Sequence, residues 1–192
     1  MKVIVDVLPG MNTRGLEEFL TNFRFDDITF LIQEEREGAS LVKTSSTYTI
    51  TAIDGETLAE TAEIGLLVGS ESSSTLVFMS GVKHSGEPKV IFATDHSDRA
   101  AQNLERFKRL RPAGFAGAVV VSDAEYTNIG TSLNERSQTF LERIKRAAQS
   151  TQANVIIANF DLESPGRKSA KAETLAALVQ QTNCHVLILK AY

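Results

Sequence analysis

The sequence predicts an α/β fold: an open, mostly parallel sheet with helices on both faces. Three observations predict it. Four Val- and Ile-rich runs in the second half alternate with three helix-forming stretches, which gives a β-α-β-α-β-α-β order. Those runs are apolar on both faces, as strands of a covered parallel sheet are. The first half opens on a strand, a helix and a strand of the same layout, which allows a tandem pair of such units.

In chain order, "KVIVDVL" (2–8) reads as a strand, "TRGLEEFLTNFR" (13–24) as a helix and "DITFLIQ" (27–33) as a second strand. "ASLVKTSSTYTITAI" (39–53) is Thr-rich and alternating, which favours one strand or a hairpin. A helix is expected over 55–69, a Ser-rich loop over 70–74 and a core strand over 75–82. Gly86 and Pro88 in "KHSGEP" (83–88) break the periodicity and mark a linker, dividing the chain into an elaborated or degenerate half (1–86) and a more regular half (87–192).

The second half carries predicted strands over 89–95, 117–123, 154–161 and 185–192, and helices over 97–110, 132–150 and 169–183. Each helix has a Ser near its N-terminus that can cap it, and apolar residues three and four apart, such as Leu104, Phe107 and Leu110. Lys2-Val3-Ile4 and Lys89-Val90-Ile91 open strands 87 positions apart. That spacing fits a degenerate duplication, and it also fits two α/β units that look alike on physical grounds.

A chain of 192 residues can bury a sizeable core. Its net charge of −4 comes from interspersed acids and bases, which argues against a dedicated nucleic-acid or anionic-membrane surface. Apolar runs fall far short of the roughly 20 residues of a membrane-spanning helix. "MKVIVDVLPG" has Asp6 inside its apolar stretch and no small-residue cleavage site, so the expected location is cytoplasmic. Cys184 is the single cysteine, which excludes an internal disulfide, and its apolar flanks suggest a buried small hydrophobe.

Chemistry-bearing residues are few. Asp6, Asp95, Asp123 and Asp161 lie at C-terminal ends of predicted strands, where ligands bind in open α/β sheets. Sharing one edge, four carboxylates could hold Mg²⁺ or Mn²⁺ and support a metal-dependent hydrolase or phosphotransferase. The alternative is that they start loops and cap helices. No Walker loop, GxGxxG or GxSxG is present. "ESPGRKSAK" (163–171), with Gly166, Arg167, Lys168 and Ser169, is the nearest substitute for a phosphate loop, or a solvated turn. Of the three histidines only His96 falls on the expected ligand edge, and adjacent Asp95, His96 and Ser97 cannot line up as a triad.

Residues 88 to 192 resemble the universal stress protein family. The likeness rests on Ala93-Thr94-Asp95-His96-Ser97 at the end of a strand, and on a final strand of the type Cys184-His185-Val186-Leu187-Ile188-Leu189, with His where the family usually has Pro. It implies an adenine-nucleotide α-hydrolase-like, Rossmann-like layering, ATP or another adenine nucleotide as ligand, Asp95 on its base side and Thr94 among the residues that contact it. The phosphate side would fall to Gly166, Arg167, Lys168 and Ser169. The family's glycine loop is incomplete here, because only Gly166 follows Asp161 and the later Gly-Ser/Thr element is missing. The chain is therefore closer to members that do not retain ATP. The expected role is a non-catalytic regulatory or stress-related module with an unknown protein partner. Pairing through the last strand would make either a homodimer or an intrachain pseudo-dimer.

Overall fold

The computed structural model of the protein describes residues 2–8, 10–23, 28–32, 47–56, 73–82, 87–110, 115–123, 133–161 and 168–190. Its N-terminal half supplies β1 (Lys2–Val7), α1 (Thr13–Phe23), β2 (Ile28–Ile32), β3 (Thr47–Asp54) and β4 (Ser74–Phe78). The C-terminal half supplies β5 (Val90–Thr94), α2 (Asp98–Lys108), β6 (Val119–Ser122), α3 (Leu133–Thr151), β7 (Val155–Asn159), α4 (Lys168–Gln181) and β8 (His185–Ile188). The eight strands form one mixed sheet in the order β2-β1-β3-β4-β8-β7-β5-β6. Every neighbouring pair is parallel except β4 with β8.

Strand alternation sorts the core into two layers. On one face Val3, Val5, Tyr48, Ile50, Phe92 and Ile157 pack with Leu16, Phe19, Leu20 and Phe23 of α1 and Phe107 of α2. On the other, Ile91, Ala93, Ile156, Ala158, Val186 and Ile188 pack with Phe140 and Ile144 of α3 and Leu175 and Leu178 of α4. Fully burying one such side chain contributes about 1.5–3 kcal/mol. The parallel strands β5 and β7 are buried along their whole length, in keeping with their unbroken apolar sequence.

The two halves share a plan. In each, the first strand lies between the second and the third, and the third pairs with the fourth. The spacing of 87 continues through the first helix of each half without a gap: Leu16, Leu20 and Phe23 are buried in α1, and Asn103, Phe107 and Leu110 at or just beyond α2. Backbone detail repeats as well, since Leu8 N donates to Ala52 O (3.3 Å) and Asp95 N to Asn159 O (3.4 Å).

The halves meet where β4 runs antiparallel to β8, with Thr75, Leu76 and Val77 opposite Ile188, Leu187 and Val186. At one end of this seam the buried His185 ring stacks on Phe78 at 4.7 Å, and its Nδ1 accepts from Met79 N at 3.0 Å. At the other end Lys190 N donates to Ser74 Oγ at 3.0 Å, and Ser74 Oγ lies 2.6 Å from Tyr48 Oη. The final strand of the C-terminal half thus pairs inside the chain.

Several boundaries differ from the sequence reading. The Thr-rich stretch supplies a single parallel strand over 47–54, with 39–46 outside the described residues. The strand expected over 117–123 begins only at Val119, because Phe115–Gly117 forms a 3-10 turn. The last strand stops at Ile188. Most of the helix expected over 55–69, the loop 70–72 and most of the linker, including His84, lie outside the described residues. No helix among the described residues is long and apolar enough to cross a membrane.

Candidate functional site

The turn from β5 into α2 is built from four residues, Thr94 to Ser97. His96 takes a left-handed backbone conformation (φ 54°), which non-glycine residues adopt rarely and which lets the chain reverse within two residues. Thr94 Oγ1 accepts from His96 N at 3.2 Å. Asp95 Oδ1 accepts from Ser97 N (3.1 Å) and Ser97 Oγ (2.7 Å), and Ser97 Oγ accepts from Ala100 N (3.2 Å). Ser97 is therefore the helix cap, and Asp95 holds the cap in place. The other carboxylate oxygen, Asp95 Oδ2, accepts from Asp161 N at 2.9 Å. This bond ties the loop after β5 to the loop after β7, so both carboxylate oxygens serve the scaffold.

A cleft of about 400 Å³ opens beside this turn, between β5, β6 and α2. Phe92, Leu104, Phe115 and Val120 supply apolar walls, and Thr94, His96 and Asn159 supply polar groups. Phe115 stands edge-on to Phe92 and to Phe107, with ring centres 5.5 Å apart in both cases, so one wall is a fixed aromatic cluster. Lys108 also lines the cleft, but its Nζ pairs with Glu105 at 3.0 Å. β6 is an edge strand, and Val120 is 61% exposed at the rim.

The four predicted strand-end acids do not come together. Asp95, Asp123 and Asp161 follow or end neighbouring strands β5, β6 and β7, where Asp123 N donates to Thr94 O at 3.0 Å. Asp6 belongs to β1, three strands beyond β8. Because β4 and β8 are antiparallel, β1 also ends on the opposite edge of the sheet. Among the described residues no group of three or more His, Cys, Asp or Glu side chains could hold a metal ion.

Of the residues expected around a nucleotide, Thr94 lines the cleft and Asp95 lies beside it in the turn. Gly166 and Arg167 lie outside the described residues, and Lys168 and Ser169 begin α4. Sequence reasoning missed Asn159, Phe92, Phe115 and Val120. Only Asn159 left a signal, as an amide closing the otherwise apolar run "VIIAN". Cys184 is buried and donates to Ala153 O at 3.2 Å; burial pushes its thiol up to about 11, against a smaller lowering by Thr182. A thiol held protonated in this way is a poor nucleophile.

No protein-family model matches the chain, and neither does any curated protein or any solved structure.

Proposed function

We propose that this protein is a regulatory α/β module resembling the universal stress proteins, and that its C-terminal half takes a small planar ligand in the cleft beside β5. The supporting observation is the cleft itself: it has aromatic and aliphatic walls and a few convergent polar groups, and it runs along the face of β5 and β6 from Thr94, His96 and Asn159 at the strand ends to Phe115 and Ala118 before β6. The resemblance nominates the base of an adenine nucleotide as occupant. A second copy of the unit, reduced to scaffold, accounts for the N-terminal half. The polar turn at Asp95 then acts as the rigid floor of the site, with no chemical step assigned to it.

Adenosine, AMP and ATP titrated against the whole chain, followed by melting temperature and calorimetry, test the reading. A ligand at 100 times its Kd stabilises a protein by about 2.7 kcal/mol, a shift of several degrees. The shift should vanish in Ala101→Trp, which fills the cleft from an exposed position of α2. No shift with any of the three, or one that survives Ala101→Trp, overturns it.

A further inference from the structure

We infer that Asn159 and Thr94 form the selective edge of this cleft, reading a neutral planar ligand that presents an N–H donor beside a hydrogen-bond acceptor. The inference rests on the cleft being a ligand site and adds the chemistry it selects.

Asn159 is 1% exposed and lines the cleft. Its Nδ2 donates to Ala100 O at 2.8 Å, which fixes the amide and leaves Oδ1 as the acceptor. Among the described residues that buried Oδ1 has no hydrogen-bond partner. A buried acceptor left unsatisfied is costly, so a ligand donor that reaches it gains affinity. Thr75 Oγ1 and Asn103 Oδ1 are also buried without partners, but neither residue lines the cleft.

Thr94 stands directly opposite Asn159 in the β5–β7 register, so the two side chains are neighbours on one face. Thr94 Oγ1 accepts from His96 N, and its hydroxyl hydrogen is the group's remaining donor. An acceptor and a donor thus lie side by side at the cleft, both almost wholly buried. A lactam or an amino-substituted nitrogen heterocycle carries the complementary pair, flanked here by Phe92 and Phe115.

The test uses two probes, isoquinolin-1(2H)-one and its N-methyl derivative, which keep the planar body and differ in the N–H. Binding to the whole chain is followed by NMR titration. The lactam should bind about tenfold more tightly, the equivalent of one hydrogen bond of about 1.4 kcal/mol. Asn159→Leu should reduce the preference to less than threefold. Should that variant fail to fold, Thr94→Val, a near-isosteric change, should weaken the lactam severalfold. Equal binding of the two probes to the parent protein, with both lost in Ala101→Trp, overturns the role of Asn159 and leaves the cleft standing. Absence of binding by either probe overturns the cleft as well.

Discussion

The two halves of this chain differ most at the places where their shared plan would put a site. Val7, Leu8 and Leu16 in the N-terminal half stand 87 positions before Thr94, Asp95 and Asn103. In the registers, Ala52 opposite Val7 corresponds to Asn159 opposite Thr94. At these four positions the N-terminal half carries Val7, Leu8, Leu16 and Ala52, apolar groups that need only packing. The other buries two amides, a hydroxyl and a partly buried carboxylate there, and most of their polar atoms are spent on the β5–α2 turn, Ala100 O and Leu189 O. Polar groups at such a position lower stability unless each finds a partner. The C-terminal half, which carries these four polar residues, also carries the cleft.

The largest effects should come from breaking the core at corresponding positions. Phe107→Ala should cost about 3–5 kcal/mol and Leu20→Ala about 2–5 kcal/mol, since both are fully buried in one cluster. Because the sheet is continuous through β4 and β8, each variant should shift a single unfolding transition. Two separate transitions in urea, detected by circular dichroism and fluorescence, would show that the seam does not couple the halves.

Asp95→Ala comes next, with an expected loss of about 1–3 kcal/mol, because it removes the acceptor shared by Ser97 and Asp161. A denaturation midpoint close to that of the parent would show that these bonds do not hold the turn. The smallest effect concerns pH. Neither folded nor unfolded Cys184 ionises below about pH 9. Between there and about 11 the unfolded thiol ionises while the buried one does not, so stability falls as pH rises. The loss attributable to this group should approach an upper limit of about 2.7 kcal/mol only above pH 11, and be absent in Cys184→Ala, read as the difference between the two unfolding curves.

Much of the architecture was legible in local pattern. Val90–Thr94 and Val155–Asn159 are continuous apolar runs and became fully buried strands. The Ser97 cap, the acid Asp98 in the first turn and the bases Arg106 and Lys108 in the last mark α2 at both ends. The site was less legible. Thr94 and Asp95 drew attention through a short motif, but a motif does not reveal that the carboxylate is consumed by backbone donors. Phe115 and Val120 reach the cleft from a turn and an edge strand whose placement depends on contacts distant in sequence.

By itself the sequence determined the alternation of strands and helices and the buried faces, because periodicity and capping act between residues a few positions apart. Only the tertiary structure decided that the last strands pair antiparallel within one chain. That pairing sends Asp6 to the far edge and leaves Asn159 beside Thr94. Strand direction and neighbours follow from burying whole faces against each other, a long-range outcome that no local segment encodes.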